Sequence, residues 1–234
     1  MNHLNTVLDF YIGLSPNIKS SLFITFLLIV VVLIVNHKLK DHDATKTPKG
    51  IVLIFEILID GMNKFTEDIM GKTWKSYAAY VLTITLFIFL SNISGLFGLY
   101  PPTANVAITV TLGIMTFAMI HYSGFQTNGV KNYLKTFIEP SPIMLPLNVV
   151  GEIVIPFSLG LRLFGNILSG AIIMALVYGA LEASGILFLA PFVAPVLHAV
   201  FDLFFGLIQT LVFVILTMVF ISSKMPEEEI MQEE

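Results

Sequence analysis

Ser158-Leu159-Gly160-Leu161-Arg162-Leu163-Phe164-Gly165-Asn166 holds the only arginine among 234 residues; the other eleven basic residues are lysines. Between Glu152 and Glu182 it is also the only formal charge. A guanidinium stays protonated at any physiological pH. In the middle of an apolar helix such a group costs about 3 kcal/mol or more, and it marks an ion or substrate path by default. The rest of the chain must account for that cost.

Outward from this stretch the composition fixes the class. The chain is 56% hydrophobic and only 12% charged, with a mean hydropathy of +0.88. A soluble domain carries about 25% charged residues, so this chain has too little polar surface for a water-soluble globule. The apolar runs are long and lack polar alternation, which excludes a β-barrel. With no cysteine, disulfide and thiolate chemistry are excluded. The expected fold is an all-α polytopic membrane protein. It has about five transmembrane helices and one interfacial amphipathic helix, the last two membrane helices being long and strongly tilted as a hairpin.

Leu145 to Leu181 gives about 55 Å of continuous helix, against a hydrocarbon core about 30 Å thick. The segment 145–182 must therefore tilt, lie partly along the membrane or break, and so must 185–223. Pro156, Pro191 and Pro195 are the expected kinks. The connection Glu182-Ala183-Ser184-Gly185 is short, so the pair forms an antiparallel hairpin.

Upstream, residues 20–36 form a first span after an external N-terminus over 1–17. No basic n-region or small-residue cleavage site points to a signal peptide. In 51–70, Glu56, Asp60, Asn63/Lys64 and Glu67 recur every three or four residues opposite Ile51, Ile54, Phe55, Leu58, Met62, Phe65 and Ile69, the pattern of a helix lying in the interface. A helix packed on the protein's own loops is an equal alternative. Lys72, Trp74 and Lys75 mark a membrane boundary. Further spans are expected over 77–100, where Ser91, Asn92, Ser94 and Gly95 suit close helix packing, and over 104–123. Ser123 to Pro142 reads as a polar connection, and 224–234 as an acidic tail.

Lysines set the orientation. Segments 36–76, 123–144 and the tail after Ser222 hold seven, two and one basic residues, whereas the turns at 101–105 and 182–185 hold none. The first group is therefore expected on the cytoplasmic side, with the N-terminus outside and the C-terminus in the cytoplasm.

On the 145–182 segment, Asn148, Glu152, Arg162, Asn166 and Ser169 make a drifting polar stripe. On the next, His198, Asp202 and Gln209 lie about three turns apart at most and face one way. Glu182 lies at the junction. Asn148 and Ser169 fit packing or helix hydrogen bonding better than ion transport. His121 fits an interfacial histidine, and Glu182 is as readily a solvated loop carboxylate as a path residue. Glu152 and Asp202 lie inside apolar segments, where acids default to ion routes. A static Arg162–Asp202 pair tying the two helices together is the competing reading.

These residues resemble a known family. Ser158–Asn166 is similar to the signature of subunit a of bacterial F-type ATP synthases. Leu145-Pro146-Leu147 with Glu152 and Pro156, Ser91–Leu96 followed by Pro102–Asn105, and Gln209 with Leu211–Phe220 resemble its flanking motifs in order. The first 75 or so residues match by layout only. The resemblance implies a non-catalytic stator subunit of a bacterial plasma membrane. Its partners would be a ring of c subunits, the peripheral-stalk subunit b, other synthase subunits and the bilayer; it implies no cofactor, no metal and no nucleic acid. It implies two aqueous half-channels carrying H+ or Na+ to and from c-ring carboxylates. Arg162 would separate the half-channels and lower the pKa of each passing carboxyl, with Asp202, Gln209, Asn166, Glu152, His198 and Glu182 lining the routes. Two positions depart from some relatives: Ala171, nine residues after the arginine, stands where they carry an acid, and Asp202 stands where they carry histidine. A third, Ile155, replaces a frequent basic residue. ATP chemistry would lie on other subunits, since no G-x-x-x-x-G-K-[ST] loop is present. The alternative from another class is a self-contained ion-coupled transporter in which Arg162 binds an anionic substrate, although no internal repeat is visible.

Overall fold

The computed structural model describes residues 13–40, 50–139 and 141–225. They form helices α1 (Pro16–Lys40), α2 (Ile51–Met70), α3 (Trp74–Ile93), α4 (Val106–Thr136), α5 (Leu145–Ala183), α6 (Ala190–His198) and α7 (Gly206–Ser222). A π-helical stretch, Ala199–Phe205, joins α6 to α7. No strand occurs among the described residues. Five helical segments are long and apolar enough to cross a membrane, α2 and α3 counting as one run across the short turn Gly71–Thr73.

The core follows helical periodicity. α7 buries Gly206, Gln209, Thr210, Phe213, Val214, Thr217, Met218, Ile221 and Ser222, an alternation of three and one that turns a single face inward. α3 meets it with Tyr77, Val81, Ile84, Ile88, Ser91 and Asn92. On α2, Met62, Phe65 and Ile69 turn toward this core while Glu56, Asp60, Lys64, Glu67 and Asp68 stay exposed. Leu53, Ile54, Ile57 and Leu58 are also exposed, so the apolar face of α2 is wider than the strip its neighbours cover.

α4 and α5 approach most closely, through glycines. A Cβ on Gly113 would lie 2.2 Å from the Pro156 carbonyl oxygen, and one on Gly160 would lie 2.8 Å from that of Thr109. Neither fits, because the obstacle is backbone, so small residues set the helix separation. Pro156 lies inside α5 without ending the helix.

Several expected boundaries differ. The helix expected over 77–100 runs Trp74–Ile93 and closes in a 3-10 turn, Ser94–Phe97. The span expected over 104–123 continues through the polar connection to Thr136, bent at Gly129, whose φ of 72° suits glycine. The bend lays the Tyr133 ring where a side chain on Gly124 would stand. The 185–223 segment is one continuous helical run over Leu187–Ser222, but it is not regular throughout. It consists of the 3-10 turn Leu187–Leu189, α6, the π stretch and α7, and its irregularity falls at Ala199–Phe205, beyond Pro191 and Pro195. The hairpin turn has a definite cap: Gly185, at φ 68°, lets the Ile186 amide donate to Leu181 O and its own amide to Glu182 O, a Schellman arrangement. The acidic residues from Glu227 onward, and residues 1–12 of the N-terminus, lie outside the described residues.

Candidate functional site

α5 is a long apolar rod that neighbours cover on one side only. Its buried residues are Pro156, Leu159, Gly160, Leu163 and Gly170. Arg162 lies on the uncovered side, exposed, among exposed Val154, Phe157, Leu161 and Leu168. It makes no hydrogen bond and no salt bridge among the described residues. One turn on, Asn166 is half-buried and its Nδ2 has no partner. Ser169 donates to Gly165 O at 2.8 Å within its own helix.

The Arg162–Asp202 tie is not formed. Asp202 is buried in the π stretch, and its Oδ2 lies 2.7 Å from Nδ1 of His198. Space for this carboxylate comes from α3's end, where a Cβ on Gly95 would stand 3.0 Å from Oδ2. A π turn carries more than four residues per revolution and is frequent at functional sites. Here it aims His198 and Asp202 at each other and at the turn that follows α3. Gln209, on α7 beyond it, is buried with Nε2 unpartnered. The facing helices were expected to bring Arg162 and Asn166 opposite His198, Asp202 and Gln209. α5 does touch the π stretch, with Gly170 against the Phe201 side chain, but among the described residues no hydrogen bond or salt bridge joins the two polar sets.

Asn92 ties the start of α7, just beyond the π stretch, to the end of α3. Fully buried, it donates from Nδ2 to Gly206 O at 3.1 Å and to Thr210 Oγ1 at 3.3 Å, and accepts from Thr103 Oγ1 at 3.0 Å. The sequence marked Asn92 as a packing residue only. Its partners on α7 lie more than a hundred positions away, and no local pattern points to them.

Toward the other end of α5, Glu152 is paired with Lys224, whose Nζ donates to Oε1. Asn128, Tyr133, Asn148, Glu152 and Lys224 line a polar cavity of about 590 Å3. His121 Nδ1 sits 2.6 Å from the Tyr133 hydroxyl. Asn148 donates to Phe137 O at 2.8 Å, in keeping with the hydrogen-bonding role expected of it. Lys224 was not among the expected site residues, because a lysine that ends a helix reads as an ordinary boundary cation. Glu182 is exposed at the hairpin turn. A second cavity, about 760 Å3 and apolar, lies between α1, α3 and α4. Arg162 lines neither of these two cavities.

Along α5, Arg162 stands about 15 Å from Glu152 and about 30 Å from Glu182. One unpartnered cation thus faces away from the bundle, with an acid–histidine cluster toward one end of the molecule and an acid–lysine cluster toward the other.

Comparison with known proteins identifies the family. The family model described as ATP synthase A chain matches residues 20–222. "ATP synthase subunit a" of Oceanobacillus iheyensis is 33% identical, covering 97% of this chain and all of the relative. "ATP synthase subunit a" of Bacillus subtilis is also 33% identical with the same coverage. "ATP synthase subunit a, sodium ion specific" of Propionigenium modestum is 30% identical over 88% of this chain and 74% of the relative. A match over 203 consecutive residues, together with these full-length relatives, is decisive: this chain, a multi-pass bacterial membrane protein, belongs to the ATP synthase subunit a family.

Proposed function

We propose that this chain is the non-catalytic ion-translocating stator subunit of its synthase, with Arg162 facing a ring of c subunits. One observation carries the reading: a permanent cation stands exposed on an apolar helix face with no partner among the described residues. A guanidinium left in lipid is costly, so the face is one that another protein covers. Gly151, Ser158 and Gly165 recur every seven residues beside Arg162. A Cβ added at Gly151 or Gly165 would meet nothing within 4 Å, so this side of α5 is flat enough for close helix approach.

The mechanism follows from charge. A carboxyl group carried on a lipid-exposed ring is neutral while loaded. Beside Arg162 its charged form is favoured, and it releases its ion. His198, Asp202, Gln209 and Asn166, with Glu182 at the mouth, line one aqueous route, and Glu152 lines the other. A fixed cation between them repels a hopping proton or Na+, so an ion crosses only by riding the ring. Each charge moved through 100 mV yields about 2.3 kcal/mol, which biases the rotation. Arginine suits the task because burial does not discharge it, whereas a lysine loses its proton readily. The orientation is N-terminus outside and C-terminus in the cytoplasm of a bacterial plasma membrane. α2 lies in the interface, its exposed Ile54 and Ile57 toward lipid. The stalk subunit b and the other synthase subunits complete the assembly.

Replacing Arg162 by alanine tests this. ATP-driven ion uptake into inverted vesicles should fall to background, with the subunit still present in the membrane; uptake at the unaltered rate overturns the reading. The Propionigenium modestum relative is named sodium ion specific. Repeating the assay with and without Na+ decides whether this chain carries Na+ or H+.

A further inference from the structure

Glu152 and Lys224 come from opposite ends of the last hundred residues and meet at the polar cavity between α4, α5 and the end of α7. The surroundings fix one partner and free the other. Asn128 Nδ2 donates to the Lys224 carbonyl at 2.7 Å, anchoring the lysine backbone. Its ammonium has three donors, and among the described residues only Glu152 Oε1 receives one. On the carboxylate, Oε2 is buried and accepts nothing. The cavity is large enough for on the order of ten waters. Tyr133, itself bonded to His121, and Glu139 also line it.

These features do not suit a structural clasp. A tie between helices is best made dry and with every lone pair used, since an ion pair in a partly polar cavity adds little net stability. Here the carboxylate has one oxygen without a donor among the described residues, the cation is a point charge on a flexible stem, and the pair lines a polar cavity. A small cation reaching Glu152 meets an oxygen held by a displaceable ammonium, with the second, buried oxygen brought to bear by a turn of the carboxylate.

We propose that Glu152 and Lys224 form a charge gate on this ion route. An entering monovalent cation binds Glu152 in place of Lys224, and the ammonium swings into the cavity. When the ion moves on toward Arg162, Lys224 returns and closes the route. The proposal rests on the two-route reading above and names the residue that regulates one of those routes.

A competing cation raises the ion concentration needed for half-maximal flux. ATP-driven uptake by the intact complex in inverted vesicles is measured with Na+ varied at fixed pH, then with pH varied at fixed Na+. Lys224→Met should lower the half-saturating concentration of the transported ion roughly fivefold, the scale of one partly exposed ion pair. Glu152→Gln should raise it by a similar factor, and the double variant should match Glu152→Gln. Lys224→Arg, which retains the competitor, should stay within about twofold of the unaltered protein. A half-saturating concentration unmoved by Lys224→Met, or shifted the same way by both single changes, overturns the gate. A fall in maximal rate alone, tracking the amount of assembled subunit, identifies a structural tie and also overturns it. If Lys224→Met does not assemble, Lys224→Gln makes the same comparison. Arg162→Ala in parallel separates the two readings. Pumping lost there while changes at 152 and 224 are silent removes the gate only; pumping retained there removes the two-route reading itself.

Discussion

Asn92 uses both ends of its amide inside the bundle, on Gly206 and Thr210 of α7 and on Thr103 of the turn before α4. Removing it leaves the Thr103 hydroxyl without its acceptor and takes a donor from the Gly206 carbonyl. The Gly206 carbonyl keeps the Thr210 hydroxyl, but the orphaned Thr103 hydroxyl costs about 1–3 kcal/mol, so Asn92→Ala should lower the midpoint of thermal inactivation of ATP-driven uptake by roughly 5 °C. An unchanged midpoint would show that water replaces the amide. Gly95 is a second sensitive position. Alanine there brings a methyl within 3.0 Å of Asp202 Oδ2, displacing the carboxylate from His198. Gly95→Ala should therefore reduce uptake several-fold at normal subunit levels, whereas Gly95→Ala with unchanged uptake would detach Asp202 from transport. At this scale the sequence was informative about residue type and silent about partners. Arg162 stands out as the lone arginine, and Asp202 as an acid in an apolar run. The bonds from Asn92 to α7 and from Lys224 to Glu152 each span more than seventy positions, and a single sequence holds no trace of such pairings.

Among the elements, α5 was the most legible because its apolar run is unbroken and Pro156 is tolerated within it. The last segment was the least legible. Pro191 and Pro195 advertise a kink, yet Pro191 opens α6, Pro195 lies within it, and the irregularity falls in Ala-Val-Phe-Asp-Leu-Phe-Phe. No residue type marks a π turn. Polar composition also concealed the far half of α4, where glutamine, asparagine and lysine read as loop but continue the helix to the bend at Gly129. The α4–α5 contact gives a prediction of its own. Gly113→Leu sets a side chain against the Pro156 backbone, which cannot yield without parting the helices. The subunit should be lost from the membrane, as read by immunoblot. Gly61→Ala, on α2 with nothing within 4 Å, should assemble normally and gain up to about 1 kcal/mol of helix stability. Equal amounts of the two variants would remove the glycine seam as the determinant of this packing.

For the whole molecule, the long apolar runs and the sparse charge already required a helical membrane protein, and five long apolar helical segments meet that requirement. What a single chain hides is the far side of Arg162, because no partner for this cation is found among the described residues. Orientation belongs to the same scale. Lysines crowd the segments on either side of α2 and near the bend of α4, while the 182–185 turn has none; under the proposed orientation that turn faces outside. The chain has no cysteine, so single cysteines can be introduced with no background. Ser184 and Lys131 are both exposed, one at the hairpin turn and one beyond the bend at Gly129. A membrane-impermeant maleimide should label Ser184→Cys in intact cells. It should label Lys131→Cys only in inverted vesicles. The opposite pattern would exchange the sides of the two ion routes: the Glu152–Lys224 gate would then meet the outer solution, and His198 with Asp202 would serve the cytoplasm. Labelling of both positions from one side would instead break the odd number of crossings that the lysine distribution requires between the α4 bend and the hairpin turn.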